Sequence, residues 1–326
     1  MAHGGARRRD ARPRRGSGGG TSMSTTAQVV PRARPESYYG QPVINQPVWT
    51  WQIPWYFFFG GTAGACAPFA LACQLGGHAR LARRAWLVSI GALAVSPPLL
   101  IADLGRPRRF FNMLRLFKLS SPMSVGSWVL TGFGLCVAPA ASRSTLGWPV
   151  RLGRAGAVGA AALGPALATY TAVLLADTAV PAWHEARGEL PFVFAGSAAA
   201  SAGAAVTLVS PANLAAPARR MAVFGALVEL LAVARMERRL GRLAAPYRED
   251  PATRPFARAA RGLTTAGAVL MAAGGGRRRG DVLGAAALLA GSVCQRWAVF
   301  RAGFASARDP AFTVGPQRER ISGAAT

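Results

Sequence analysis

An acid and several arginines follow the apolar run Ala85–Ala102, in the stretch DLGRPRRFFNML that begins at Asp103. A carboxylate and a guanidinium at this boundary, those of Asp103 and Arg106, can form a charge-assisted pair. Gly105 and Pro107 favour a backbone bend that would turn both side chains toward the ends of the neighbouring helices. These residues predict a polar site where a membrane helix would end. The alternative interpretation is a basic loop whose arginines reach lipid phosphates.

Two more acids lie in or beside apolar runs. Glu229 lies within FGALVELLAVA, and Asp177 ends the run Ala155–Asp177. A buried carboxylate is costly unless it is protonated or paired, so Glu229 indicates a polar pathway through the membrane. Its structural alternative is a protonated Glu hydrogen-bonded to a neighbouring helix. We treat Glu229 and Asp177 as candidates for a proton pathway.

Aromatic residues are dense just before the first apolar run, in PVWTWQIPWYFFFGG. Trp49, Trp51, Trp55 and Tyr56 are typical of the aromatic belt at a membrane interface. The same residues can instead form the rim of a pocket for a flat, amphipathic ligand. Both interpretations place this segment at one end of a helical bundle.

The composition indicates a polytopic membrane protein. The chain is 51% hydrophobic, yet its formal net charge is +25, which is natural when apolar spans alternate with basic loops. The arginines are spread between apolar runs, and no zinc spacing or RNA-binding signature occurs, so a nucleic-acid partner is not expected. We therefore predict an all-α integral membrane protein in the lipid bilayer, with about eight transmembrane helices in a bundle.

Eight apolar runs are the candidate spans. The first ends near Leu75, and its Gly60, Gly61 and Gly64 predict a face for close helix packing. The other seven are Ala85–Ala102, Val125–Ala140, Ala155–Asp177, Phe192–Val209, Met221–Ala234, Gly262–Gly274 and Val282–Val299. The sixth and seventh are shorter than the roughly 20 residues of a full span.

The two ends of the chain differ in composition from these runs. Residues 1–35 are rich in Arg, Gly, Ser and Pro and predict a disordered basic tail rather than an export signal or anchor, with Met23 a candidate initiator. Residues 36–305 would form the transmembrane domain and residues 306–326 a C-terminal tail. Most of the 38 Lys+Arg residues lie in the tails and in the loops after the second, fourth and sixth spans, which predicts cytoplasmic termini. A basic face can equally dock an acidic partner.

Cysteine and histidine usage limits the redox cofactors that this chain can hold. No two cysteines form a CxxC pair, and each histidine lies in a tail or loop rather than in a span. The residues concerned are Cys66, Cys73, Cys136, Cys294, His3, His78 and His184. We therefore expect no iron–sulfur cluster, no haem and no other metal site in this chain.

Five motifs occur in order between about Tyr38 and Arg320. They are YYGQPV with PVWTW, YFFFGGTAG, LLIADLGRPRRFFNML with SPMSVGSW, TYTAVLLADTAVPAW, and AGFASARDP with PQRER. Together they resemble the NrfD-type membrane subunits of polysulfide reductase and related quinone-linked complexes. The resemblance implies a haem-free protein of the cell membrane that binds quinone or menaquinone, or its quinol, as a substrate. It also implies a ferredoxin-like iron–sulfur subunit as electron partner, usually joined to a molybdopterin oxidoreductase subunit.

The resemblance implies residues for the quinone as well. In one family pattern the ring meets an asparagine and a histidine early in the first span and a tyrosine early in the fourth. Ile53 and Tyr56 stand at the first two positions and Tyr170 at the third, so only the tyrosine is matched. A phenol at position 56 can still hydrogen-bond a quinone oxygen. Tyr56, Tyr170 and the neighbouring Trp51 are the predicted quinone-binding residues.

The implied reaction is quinol oxidation or its reverse. Asp103 would accept a proton and Arg106 would stabilise the charged carboxylate, so these two are the predicted catalytic residues. The missing asparagine and histidine favour a rival interpretation, a non-catalytic anchor that fastens a molybdopterin or iron–sulfur enzyme to the membrane. A transporter is a further alternative, but no inverted repeat occurs in the sequence.

Overall fold

A computed structural model describes residues 43–104, 108–115, 117–274 and 276–316. The described residues are helical or irregular, and no strand occurs among them. The predicted N-terminal tail at 1–35, the YYGQ motif, Arg106 and residues 317–326 of the predicted C-terminal tail lie outside the described residues. The predicted pairing of Asp103 with Arg106 therefore stays a prediction.

Helices account for most of the described chain. In chain order they are α1 (Gln52–Leu75), α2 (Ala79–Asp103), α3 (Arg108–Arg115), α4 (Pro122–Leu146), α5 (Val150–Ala176), α6 (Pro181–His184), α7 (Leu190–Leu208), α8 (Ala216–Leu240), α9 (Ala245–Arg248), α10 (Arg254–Ala273) and α11 (Arg278–Arg308). A 3-10 turn at Gly241–Ala244 joins α8 to α9.

Six helices of the described chain are long and apolar enough to cross a membrane, namely α1, α2, α4, α5, α7 and α11. The predicted all-α, multi-pass membrane fold is thereby confirmed, whereas the predicted count of about eight spans is not. The sixth and seventh candidate spans lie within α8 and α10, which begin earlier than predicted. The difference arises at the arginine-rich helix ends, which lower the hydropathy without interrupting the helix.

The long helices pack as consecutive hairpins: α1 with α2, α4 with α5, α7 with α8, and α10 with α11. α1 lies at the centre and also contacts α5, α7 and α11. Its small-residue face makes the close approach that the sequence predicted. A Cβ added at Gly64 would overlap the carbonyl oxygen of Gly164 on α5, so the two backbones are nearly in contact.

Arginines at the ends of α8 tie this helix to its neighbours. Arg239 donates to both carboxylate oxygens of Glu189 at the start of α7, at 2.6 and 2.7 Å. At the other end, Arg219 pairs with the buried Asp281 of α11 at 3.1 Å. These pairs stabilise the charged ends of α8, where hydropathy alone predicts a shorter span.

One end of the bundle gathers several motifs of the sequence, and we call it the motif face. It comprises residues 43–51, 117–121, 177–189, 241–253 and 309–316 of the described chain. Its segments are in contact: Trp49 stacks on Trp183 with ring centroids 5.6 Å apart, and the Tyr247 hydroxyl donates to the carbonyl of Ala182 at 3.1 Å. The site described next lies beneath this face.

Candidate functional site

A small cavity of about 30 Å³ lies beneath the motif face, between α1, α2, α4 and α5. Tyr56, Tyr170 and Asp103 all line it, although they come from three different helices. The remaining lining residues are Trp49, Ile53, Phe57, Leu100, Leu104, Met113, Met123, Ser127 and Leu174. The structure thus brings three of the predicted site residues together in one place, which we call the tyrosine cavity.

The Tyr56 hydroxyl is a buried polar group of this cavity that lacks a hydrogen-bond partner among the described residues. The residue is only 1% exposed. The Tyr170 phenol is close enough to interact with it electrostatically. An unpaired buried hydroxyl typically costs about 1–3 kcal/mol, so a ligand oxygen in this cavity would relieve the cost.

Gly126 on α4 makes room for Tyr170. A Cβ built at Gly126 would overlap the end of the Tyr170 phenol, including its hydroxyl oxygen. The motif SPMSVGSW contains this glycine, but sequence reasoning gave it no role. Its role depends on a helix that lies far away in sequence.

Asp103 ends α2 and accepts hydrogen bonds from Thr50, which lies just before α1. Its Oδ1 accepts a hydrogen bond from the Thr50 backbone N–H at 2.9 Å and lies 2.6 Å from the Thr50 hydroxyl oxygen. The partial positive charge at the N-terminus of α1 also favours a carboxylate here. The sequence did not indicate Thr50, because the contact joins residues 53 positions apart.

A larger groove of about 520 Å³ adjoins the tyrosine cavity. The two share Trp49, Asp103, Leu104, Met113 and Met123, so the groove continues into the cavity. The groove is further lined by Val48, Lys118, Ser121 and Ser124. Its volume is in the usual range of small-molecule pockets, about 300–1,000 Å³, whereas the cavity holds about one water molecule.

A second polar site lies inside the bundle around Glu229. Its carboxylate, 2% exposed, is hydrogen-bonded to Ser197 and interacts with the guanidinium of Arg296, which is 1% exposed. Arg296 donates from Nη2 to the carbonyl of Phe194 at 3.0 Å, and its Cζ lies 3.9 Å from the centroid of the Phe194 ring. Ser292 lies 2.6 Å from Ser197, oxygen to oxygen. α7, α8 and α11 therefore share one buried polar cluster.

This cluster has unused hydrogen-bonding capacity. Glu229 Oε2 and both Nε and Nη1 of Arg296 have no hydrogen-bond partner among the described residues. Nearby on α7, the Ser201 hydroxyl lies 2.8 Å from that of Thr62 on α1, so polar groups also extend toward the central helix. The network can therefore accept a further hydrogen bond or a proton at Glu229 Oε2 and donate further hydrogen bonds from Arg296.

An aromatic pair separates the two polar sites. Phe57 lines the tyrosine cavity and packs against Phe194 with ring centroids 5.8 Å apart. The guanidinium of Arg296 lies over the ring of Phe194. The tyrosine cavity and the Glu229 cluster are therefore neighbours within one bundle.

Comparison with protein families decides the relationship that the motifs suggested. The family model described as polysulphide reductase, NrfD, matches residues 41–244, which include Tyr56, Asp103, Tyr170 and Glu229. The chain belongs to the NrfD family. NrfD proteins are membrane subunits of redox enzyme complexes and partner with other redox enzyme subunits. A comparison with curated proteins found none that matches.

Besides Glu229, two predicted site residues of this NrfD chain, Trp51 and Asp177, lie away from the tyrosine cavity. Trp51 is exposed and lines a surface pocket of the motif face with Trp297 and Arg301. Asp177 is exposed and lines another pocket of that face with His184. Neither lines the tyrosine cavity, and their roles stay predictions.

Arg296 is the main residue of the buried site that sequence reasoning missed. It lies beyond the residues matched by the NrfD family model. A signal was present, because Arg296 is a cation inside the predicted span Val282–Val299. Such a residue indicates a buried partner by the same reasoning that singled out Glu229.

Proposed function

We propose that this NrfD protein is the quinone-reactive membrane subunit of an oxidoreductase complex. It would oxidise a quinol, or reduce a quinone, of the menaquinone class at the tyrosine cavity and exchange electrons with a ferredoxin-like iron–sulfur subunit. The observation that carries the proposal is the buried, unpartnered Tyr56 hydroxyl, which shares one cavity with Tyr170 and Asp103.

The residues around the cavity fit a quinone in chemistry. Phenol hydroxyls can donate to ring oxygens, a carboxylate can accept a proton, and the remaining wall is largely apolar, as a flat ring requires. The cavity alone is too small for a ring, but the adjoining groove is not. Met113 and Met123 line both spaces, and methionine side chains are unbranched and adapt readily. We propose that a ring reaches the tyrosines from the groove when these two side chains turn.

Each residue has a proposed part in the reaction. A bound quinol would supply two electrons, which pass to the iron–sulfur subunit, and two protons, which leave one after the other through Asp103. Asp103 would take up a proton as general base, and its hydrogen bonds with Thr50 keep the carboxylate at the cavity wall. Tyr56 and Tyr170 would orient the ring oxygens. Arg106, outside the described residues, is proposed to stabilise the charged form of Asp103.

The motif face is the proposed docking surface for the iron–sulfur subunit, which would connect to a molybdopterin oxidoreductase subunit. It lies directly above the tyrosine cavity, so docking there keeps the electron path short. The metal centres are assigned to the partners, because the spacing of cysteines and histidines in the sequence offers no ligand set for haem or a cluster. We propose the cell membrane as the location and the cytoplasm as the side of the termini.

Glu229 and Arg296 extend the proposal to proton movement. The unpartnered Glu229 Oε2 would take up a proton, and the unpartnered N–H groups of Arg296 would donate to a water molecule, close to the cavity where protons are released. Asp177, which is exposed on the motif face, would serve at the surface. The expected outcome is that Glu229→Gln slows proton release by the complex in proteoliposomes containing a pH-sensitive dye.

Quinol-dependent reduction of the partner clusters in the purified complex tests the central proposal. Tyr56→Phe removes the unpartnered hydroxyl and should lower kcat/KM about tenfold. A tenfold change corresponds to the loss of one hydrogen bond to a ligand. Thr264→Val is the control, because it removes a buried hydroxyl of α10 that also has no hydrogen-bond partner among the described residues and that lies outside both the cavity and the motif face. A complex that contains no quinone and is not reduced by quinol would contradict the proposal and favour the structural anchor.

A further inference from the structure

The end of the bundle opposite the motif face is almost purely cationic, and we call it the arginine face. It comprises the residues where the helix hairpins turn, 75–84, 143–154, 209–220 and 276–281. Its eleven arginines are Arg80, Arg83, Arg84, Arg143, Arg151, Arg154, Arg219, Arg220, Arg277, Arg278 and Arg279. Its one acid, Asp281, is buried and already pairs with Arg219 at 3.1 Å.

The motif face differs sharply in charge from the arginine face. Its described residues include six acids, namely Asp177, Glu185, Glu189, Glu249, Asp250 and Asp309. The arginine face has ten arginines for which it offers no acid. Such an excess of one sign of charge attracts an anionic partner.

An open pocket of about 360 Å³ lies on the arginine face, between the α1–α2 turn and the α4–α5 turn. Its lining residues are Gln74, Ala79, Arg143, Ser144, Gly147 and Val150. The aliphatic stem of Arg143 packs against Gly153 of α5, where an added Cβ would overlap it. The guanidinium of Arg143 forms no hydrogen bond or ion pair with any described residue. Packing therefore fixes the stem, while the five N–H donors of the charged end stay available.

Exposed apolar side chains lie next to this pocket. Leu75, Leu146 and Trp148 immediately neighbour lining residues in the sequence, and all three are exposed. Leu152 is exposed as well, two residues further along α5 than Val150. A tryptophan and arginines at the end of a membrane helix are typical of the membrane interface. The pocket would therefore lie at the level of the phospholipid headgroups.

We propose that this pocket binds the phosphate of an anionic membrane phospholipid. The planar guanidinium of Arg143 can donate two parallel hydrogen bonds to phosphate oxygens, and Ser144 and Gln74 can donate further ones to the headgroup. The acyl chains would lie against Leu146 and Leu152. A free phosphate ion would meet the same guanidinium but would gain nothing from these apolar contacts. This site lies at the other end of the bundle from the tyrosine cavity, so it is independent of the proposed function.

Arg143→Gln tests the site, because it removes the charge and leaves a polar side chain whose stem can still pack on Gly153. Arg154→Gln is the matched control, because Arg154 is exposed on the same face and does not line the pocket. Native mass spectrometry of the detergent-purified protein, with the subunits that co-purify, measures the dissociation constant for dioleoyl phosphatidylglycerol. Dioleoyl phosphatidylcholine, whose headgroup has no net charge, and glycerol phosphate, which has no acyl chains, are compared at the same ionic strength.

The expected result is specific to one arginine and one class of lipid. The parent protein should bind phosphatidylglycerol at least tenfold more tightly than phosphatidylcholine or glycerol phosphate. Arg143→Gln should weaken phosphatidylglycerol binding about tenfold, the usual effect of losing a charge-assisted hydrogen bond, and Arg154→Gln less than about twofold. Arg143→Lys should weaken it less than Arg143→Gln, because lysine keeps the charge without the fork geometry.

Three outcomes would overturn the inference. Equal weakening by Arg143→Gln and Arg154→Gln, or none by either, would leave only a general attraction of anions to the arginine face. Equal binding of phosphatidylcholine would show that the charge of the headgroup does not matter. Binding of glycerol phosphate as tightly as phosphatidylglycerol would assign the pocket to a soluble phosphate compound.

Discussion

Gly126 of α4 lies against the phenol of Tyr170 on α5, so closely that a Cβ at position 126 would overlap the ring. The contact directs the Tyr170 phenol to the wall of the tyrosine cavity, where Tyr56 is its polar neighbour. A glycine in the interior of α4 lowers helix propensity by about 1 kcal/mol relative to alanine. Here its small size allows the close packing that forms the candidate site.

Gly126→Ala should therefore displace Tyr170 and lower quinol-linked activity by at least tenfold. Overpacking of this kind typically costs about 1–3 kcal/mol, so the complex should still assemble. Quinol-dependent reduction of the partner clusters, at equal subunit content, is the measurement. Gly134→Ala on the same helix is the control, because its Cβ would meet nothing closer than 3.6 Å. Equal activity of the two variants would mean that the position of Tyr170 does not matter for the reaction.

Asp103→Asn should slow quinol-linked electron transfer about 100- to 10,000-fold, the usual effect of losing a positioned general base. The complex should remain assembled, because the amide oxygen can still accept the Thr50 N–H. Asp309→Asn removes an exposed acid from the motif face, outside the tyrosine cavity, and should lower the rate far less than Asp103→Asn, which separates the loss of one negative charge at that end of the bundle from the loss of the base. If Asp103→Asn matched the parent, Asp103 would serve only to join α2 to Thr50, and the proton acceptor would have to be sought elsewhere.

The sequence predicted the helical membrane fold because apolar runs of sufficient length have few other structural solutions. It also named Tyr56, Tyr170 and Asp103, which the structure brings to one cavity. It could not reveal Gly126 or Thr50, because their roles arise only when distant helices pack together.

The ends of α8 show a different limit of sequence reasoning. Hydropathy counts Arg219 and Arg239 as reasons to end a span, yet both pair with acids of neighbouring helices. An ion pair between helices lowers the free-energy cost of burying such charges. The sequence of a single helix does not show which residue of another helix will be the partner. Arg296 differs from these two arginines, because its place inside a predicted span is visible in the sequence.

We expect α8 to cross the membrane although its sequence is less apolar than that of the six clear spans. Phe224, Leu227 and Leu231 are 66%, 52% and 70% exposed and lie on one helical face, which would contact lipid. Arginines stand at both ends of the helix, as at membrane interfaces. Cysteines introduced at the exposed positions Arg220 and Arg238 should react with an impermeant maleimide from opposite sides of the membrane.

The labelling requires a background without the four native cysteines, each replaced by alanine and checked for assembly. Labelling of both introduced cysteines from the same side would place α8 along the membrane surface or in a re-entrant position. In that case the bundle would have fewer spans than the sequence predicted.

The buried pair of Glu229 and Arg296 should show strong energetic coupling. Glu229→Gln leaves a buried guanidinium that cannot lose its proton, so it should destabilise the complex by about 3–5 kcal/mol. Arg296→Met leaves a carboxyl group that can take up a proton, but it also removes the contacts with Phe194. The double variant should be less destabilised than the sum of the two single variants by about 0.5–3 kcal/mol.

Reversible denaturant unfolding of the purified complex measures this coupling. The control is Arg220→Met, which changes an exposed residue of α8 and should alter the free energy of unfolding by less than about 0.5 kcal/mol. Coupling would show that Glu229 is stabilised mainly by Arg296, so that removing the arginine alters both stability and proton release. Additive effects would instead show that Ser197 and the surrounding helices satisfy the carboxyl group alone. Glu229 would then be a neutral, structural residue, and proton transfer through the bundle would need another path.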